Sequence, residues 1–199
     1  MKAYKINEIF YSVQGEGARA GSANVFVRFA GCDLTCGFCD TEFESGRFMT
    51  AQEIVTEALR LMPHNGPASC SVILSGGEPS IQYDEDLATA LRSMDIYTAI
   101  ETNGNNPLKA SVDWISCSPK VAEHVVAKNF PLGVSELRYV RHPGQAIPEP
   151  KVAAIHRYLS PQFRGDVLDR ASLEHCIELV KANPMWSLSL QQHKFWGVR

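Results

Sequence analysis

Short runs of β-branched and aromatic residues, each bounded by turn formers, alternate along this chain with segments whose apolar residues repeat at helical spacing. No other feature restricts the fold as much. Residues 25–30, 71–75, 96–101, 113–117, 136–140 and 186–190 read as strands. Thr50-Ala51-Gln52-Glu53 is a capping box, after which Ile54, Val55, Ala58, Leu59 and Met62 recur on one face, predicting a helix over 51–62. Weaker helical signals cover 84–94, with Leu87, Leu91 and Met94 on one side, and 169–182, which ends at Asn183-Pro184. Such alternation implies parallel strands joined by right-handed crossovers. A closed eight-stranded barrel typically needs about 250 residues. The 199 residues here predict one α/β domain over 1–199, an open, partial parallel β/α barrel of about six strands. Chemistry in such folds sits at the carboxyl ends of the strands. There the sequence has a cysteine loop after Ala30, Gly76-Gly77 after Ser75, Thr102-Asn103-Gly104 after Glu101 and Ser118-Pro119-Lys120 after Cys117.

Composition narrows the function. Nineteen basic against twenty-two acidic side chains leave a net charge of -3, and no Lys/Arg cluster supplies the footprint of a nucleic-acid binder. The charged opening Met1-Lys2-Ala3-Tyr4-Lys5 is unlike a signal peptide, and no stretch approaches the roughly eighteen apolar residues of a membrane span. A cytoplasmic protein is expected. Of six cysteines, three crowd into eight positions, which in a reducing compartment points to metal binding. Cys70, Cys117 and Cys176 lie in apolar patterns and read as ordinary buried thiols.

Cys32-Asp33-Leu34-Thr35-Cys36-Gly37-Phe38-Cys39 places three thiols close enough to ligate one cluster while leaving a fourth metal position without a protein ligand. A structural zinc site takes four protein ligands and a ferredoxin cluster four cysteines; the next plausible ligand, His64, lies beyond a predicted helix. The C-x3-C-x2-C spacing, with an aromatic residue before the last cysteine, resembles the radical S-adenosylmethionine superfamily. That resemblance implies a radical S-adenosylmethionine core holding a four-iron, four-sulfur cluster. Its open iron is chelated by S-adenosylmethionine, from which a 5'-deoxyadenosyl radical arises. Gly76-Gly77-Glu78-Pro79 resembles the superfamily's Gly-Gly-Glu motif, which sets Gly77 against the methionine ammonium, although a Gly-Gly pair alone is only a turn. Ser118, Pro119 and Lys120 offer a hydroxyl and a cation near a bound ribose and carboxylate, or else form a turn with a solvated lysine. By resemblance Phe38 and Asp40 lie against adenine and ribose; Phe38 is equally compatible with packing. Relatives carry Gln-Pro around residue 159, where this chain has Ser160-Pro161-Gln162-Phe163.

Residues 10–17, Phe26-Val27-Arg28, Gly31-Cys32, Cys39-Asp40-Thr41, Glu101-Thr102-Asn103-Gly104, Ser118-Pro119-Lys120 and the closing Leu190-Gln191-Gln192-His193-Lys194 look like the 7-carboxy-7-deazaguanine synthases; residues 121–185 match loosely. That resemblance implies ring contraction of 6-carboxy-5,6,7,8-tetrahydropterin to 7-carboxy-7-deazaguanine, with loss of ammonia, on the route to queuosine-type nucleosides. It also implies magnesium held by Thr41, which by sequence alone is an ordinary threonine. An electron donor such as flavodoxin and a homodimer complete the expectation.

Arg28 alternates with Phe26 and Ala30 on one strand face, opposite Val25, Val27 and Phe29, so both faces are covered. A guanidinium there needs a partner, either the substrate carboxylate or a structural salt bridge with Glu16 or Glu101. Val13, Gln14, Gly15 and Glu16 would face the polar edge of the pterin. Ser75 and the terminal carboxylate of Arg199 are further substrate contacts by resemblance. Two rivals share parts of this pattern. An activating enzyme that makes a glycyl radical on a partner protein has the same cysteine loop, and an iron–sulfur electron carrier has the cluster alone.

Overall fold

The computed structural model describes residues 2–37, 39, 42–63 and 70–198. In chain order the elements are β1 (Ala3–Val13), β2 (Ala23–Phe29), β3 (Arg47–Thr50), α1 (Ala51–Leu61), β4 (Ser71–Gly76), α2 (Glu85–Arg92), β5 (Thr98–Thr102), β6 (Trp114–Cys117), α3 (Glu123–Asn129) and β7 (Val134–Arg141). There follow β8 (Ala154–Pro161), β9 (Phe163–Arg164), β10 (Val167–Leu168), α4 (Arg170–Ala182), β11 (Ser187–Leu188) and α5 (Gln192–Trp196). Among the described residues nine strands form one sheet, in the order β11-β8-β7-β6-β5-β4-β2-β1-β3, and β9 pairs with β10 in a separate hairpin. From β2 to β11 every pairing in the large sheet is parallel; β1 runs antiparallel to β2, and β3 antiparallel to β1.

The six expected strands are all present within this sheet, and β1, β3 and β8 extend it beyond the expected number. A bulge between Ile6 and Glu8 explains why β1 escaped the alternation rule. Tyr4 and Ile6 on one side of the bulge pack on the outer face of the sheet, while Phe10 beyond it packs on the inner face, so no single period runs through the strand. The capping box of α1 is formed: Glu53 N donates to Thr50 Oγ1 over 3.3 Å, and Thr50 N donates to the Glu53 carboxylate over 2.7 Å. Asp84 and Asp169 cap α2 and α4 through the backbone N–H groups of Leu87 and Ser172.

Two apolar layers lie on the outer face. One packs β1, β2, β4 and β5 against α1 and α2, and the other packs β6, β7 and β8 against α3 and α4. The inner face is organised in rows set by strand register. Phe26, Ile73, Ala99 and Trp114 are partners on successive strands and form an apolar floor, on which Phe10 stacks its ring against Phe26 at 5.2 Å. One step toward the carboxyl ends, Arg28 is the partner of Ser75, Glu101 of Ser116, and Ser116 of Glu136. A polar row therefore sits directly on the apolar one, and β-sheet register alone puts Arg28, Ser75 and Glu101 at one height.

Ile100 is fully buried on the outer side of β5, the strand that carries Glu101 inward. Ile100→Ala should lower unfolding stability by about 2–5 kcal/mol, read from the denaturant midpoint; a loss near zero would contradict this packing.

Candidate active site

Two cavities open above the polar row. The first, about 260 Å³, is lined by Cys32, Cys36, Cys39, Gly77, Ser118 and Lys120, together with Glu16, Glu101, Thr102, Asn103, Arg138, Ser160, Gln162 and Phe163. The second, about 660 Å³, is lined by Val13, Gln14, Gly15, Glu16, Arg28 and Ser75, with Phe10, Phe26, Glu101, Gln191, His193 and Lys194. Glu16, Glu101, Gly165 and Gln191 belong to both. The structure thus sorts the residues singled out in the sequence into two adjoining groups. Pro119 lines neither cavity, although its neighbours line the first. Phe38, Asp40, Thr41, His64 and Arg199 lie outside the described residues.

The cysteine loop is held from below by the glycine motif. Gly77 N donates to Phe29 O over 3.1 Å and Glu78 N to Gly31 O over 2.9 Å. A side chain at Gly77 is ruled out by proximity, since its Cβ would stand 2.0 Å from Gly31 O. Glu78 is fully buried and accepts from Thr102 Oγ1 at 2.8 Å and Asn103 N at 2.7 Å, tying the end of β4 to the end of β5. Burial raises its carboxyl above the usual range despite these donors. Across the cavity Lys120 Nζ donates to Ser118 Oγ over 2.9 Å, and burial lowers the lysine's pKa. Burial likewise raises the Cys32 thiol and pushes Cys117 up to about 12, an inert buried thiol as expected. Cys70 and Cys176 are buried too.

On the wall of the first cavity stands a residue that the sequence did not single out. Arg138, on the inner side of β7, is buried and donates to Glu16 Oε2 over 3.0 Å and to Glu101 Oε1 over 2.9 Å, with Glu136 Oε1 at 3.4 Å from its Nε. Burial works against its charge, and the three carboxylates outweigh that and hold it protonated. Glu101 shows the converse: burial would raise its pKa, but Arg138 and the amide of Gln14, which donates over 2.9 Å, bring it below the usual range. Arg138, like Arg28, is a guanidinium inside a strand with apolar neighbours, and that signal is legible in the sequence. The carboxylates proposed as structural partners for Arg28 in fact serve Arg138. Arg28 Nε donates to Glu8 over 2.9 Å, its register partner on β1, and its guanidinium carbon lies 5.5 Å from the Phe10 ring centre. Without β1 as a strand, Glu8 could not be foreseen.

The carboxyl-terminal segment closes the second cavity. Gln192 N donates to Gly15 O over 3.0 Å, and Gln191 Nε2 to Glu16 Oε1 over 3.1 Å. A Cβ on Gly15 would lie 2.2 Å from His193 Nδ1, so only glycine lets α5 seat there.

The donor set fits an iron–sulfur cluster with a polar nucleoside beside it. Among the described residues the first cavity has three thiols on its wall and no imidazole, and no three His, Cys, Asp or Glu side chains are gathered tightly enough to hold a metal ion by themselves. Among the described residues Ser160 Oγ, buried in the same wall, has no hydrogen-bond partner. No helix among the described residues is long and apolar enough to cross a membrane.

An open parallel barrel with a three-thiol loop at its carboxyl rim defines a radical S-adenosylmethionine enzyme, and the sequence profile of the Radical SAM superfamily matches residues 26–144. Membership implies a four-iron, four-sulfur cluster and S-adenosylmethionine. The 7-carboxy-7-deazaguanine synthase of Bacteroides thetaiotaomicron is 40% identical over 198 residues, 98% of each chain. Those of Burkholderia multivorans and Caulobacter vibrioides are 36% identical and cover 98% of this chain and 99% of their own. The crystal structure of QueE from Escherichia coli shares the fold with a TM-score of 0.75 at 23% identity, over 96% of this chain and 95% of that one. The chain belongs to the 7-carboxy-7-deazaguanine synthase family.

Glu101 has its pKa lowered on folding, so its favourable contribution is complete above the unfolded carboxylate value of about 4.3 and fades as pH falls through the lowered folded value. Arg138→Ala should cost about 3–5 kcal/mol near neutrality. The gap to the wild type should shrink below about pH 4, measured by denaturant unfolding across pH. A gap independent of pH would refute the electrostatic account.

Proposed function

We propose that this protein carries out the reaction its family is named for, as one domain over residues 1–199, converting 6-carboxy-5,6,7,8-tetrahydropterin to 7-carboxy-7-deazaguanine with loss of ammonia. The observation that carries this reading is the shared wall of the two cavities. Residues with the chemistry to grip a nucleoside and a cluster adjoin residues with the chemistry to grip a small carboxylated heterocycle. When bound, the cluster and S-adenosylmethionine would supply the radical chemistry for hydrogen abstraction at C6 of the pterin.

The chain's part is positioning and exclusion of water. Cys32, Cys36 and Cys39 hold the cluster; Phe38, Asp40, Gly77, Ser118, Pro119 and Lys120 hold S-adenosylmethionine. The fork of Arg28 receives the substrate carboxylate, with Ser75 beside it in the polar row. Gln14 and Glu16, fixed by Glu101, Arg138 and Gln191, present an amide and a carboxylate to the donor-rich edge of the pterin. Thr41 is the magnesium ligand, Arg199 a further substrate contact, flavodoxin the electron donor and the homodimer the working form.

Arg28→Ala should raise KM for the carboxytetrahydropterin by at least about tenfold, the scale of a lost charge-assisted pair, while the cluster's absorbance is unchanged. Near-normal turnover would overturn the assignment of Arg28. Removing magnesium with a chelator should lower turnover without bleaching the cluster, and equal rates with and without magnesium would remove that ion from the reaction.

A further inference from the structure

Among the described residues 32–37, the loop that carries the thiols has few side-chain ties to the barrel. Its stem is held by Gly31, whose N–H donates to Phe43 O over 2.7 Å and whose carbonyl accepts from Glu78 N. Beyond that stem, Asp33 is the one described residue of 32–37 whose side chain is hydrogen-bonded to another element. Its carboxylate gathers three amides from the turn after β5: Asn103 Nδ2 at 3.1 Å on Oδ1, and Asn105 Nδ2 at 2.8 Å and Asn106 Nδ2 at 2.7 Å on Oδ2. Three neutral donors on one carboxylate use both of its oxygens and leave it a single orientation.

The asparagine turn is itself fixed by the core. Asn103 N donates to the buried Glu78, Asn105 N to Asn103 Oδ1 over 2.8 Å, Asn129 Nδ2 to Gly104 O over 3.0 Å, and Asn103 O accepts from Lys120 N over 3.0 Å. The turn is therefore a rigid post joined on one side to the glycine motif and on the other to the Ser118–Lys120 wall. Asp33 hooks the cysteine loop onto that post, one residue after Cys32 and three before Cys36.

We propose that Asp33 is a positioning residue: by holding the side-chain amides of Asn103, Asn105 and Asn106, it sets the height and tilt of the cysteine loop over the first cavity. Cys32, Cys36 and Cys39, which would hold the cluster, share the wall of that cavity with Gly77 and Lys120. This rests on those cysteines holding the cluster. Asparagine in place of Asp33 has the same outline but one carbonyl oxygen and two N–H donors, so it cannot accept all three amides.

The test uses anaerobically reconstituted full-length protein. Asp33→Asn should release iron to a chelator about tenfold faster or more, the usual scale for loss of a residue that orients metal ligands. It should also weaken, by a similar factor, the S-adenosylmethionine concentration dependence of the change in the cluster's electron paramagnetic resonance spectrum. Asn105→Ala combined with Asn106→Ala, two positions that do not line the cavity, should move both readouts in the same direction, and this second variant keeps the test decisive if the first folds poorly. Wild-type iron release and an unchanged spectral titration in either folded variant would overturn the role of Asp33. A wild-type protein that takes up no iron–sulfur cluster would instead overturn the cysteine assignment on which it rests.

Discussion

One buried guanidinium organises the interior. Arg138 faces Glu16, Glu101 and Glu136, which arrive from the loop after β1, from β5 and from β7. Water is largely excluded from its surroundings, so removing the cation would leave like charges facing one another in a poorly screened space. An open barrel has no ring of strand pairing to fix its curl. Here part of that task falls to ionic contacts across the hollow, which hold the amino-terminal loop, the centre of the sheet and its far half at set distances. Such networks are poor sources of net stability and good sources of uniqueness, which suits walls that must present particular groups at particular heights.

The legible parts of the fold were those with a clean period. β2 and β4 are covered on both faces and read as continuous apolar runs, α1 announced itself through its capping box, and Asn183-Pro184 marked the end of α4. β1 was illegible because its bulge splits one strand into two phases, and its charges, among them Lys5 and Glu8, masked the buried Tyr4 and Ile6. β8 carries His156, Arg157 and Tyr158 in its middle, a polar stretch tolerated because one side faces the hollow interior. α3 spans only Glu123–Asn129 and α5 only Gln192–Trp196, too few turns for periodicity to show.

For the site, local motifs carried further than pair contacts. The spacing of Cys32, Cys36 and Cys39, the glycine pair and Ser118-Pro119-Lys120 identify their own loops, because each is contiguous in sequence. What could not be read was which distant groups meet. Arg28 with Glu8 depends on the register of β1 and β2, and Arg138 with Glu16 spans most of the chain. Gly15 looked like an ordinary turn glycine; the reason for it is His193, nearly the whole sequence away.

The partition between the two cavities consists of side chains that face both ways, Glu16 and Glu101 above all. Because Arg138, Gln14 and Gln191 already hold these carboxylates, a guest on either side meets a wall whose charged groups are ordered before it arrives and need not be ordered at its expense.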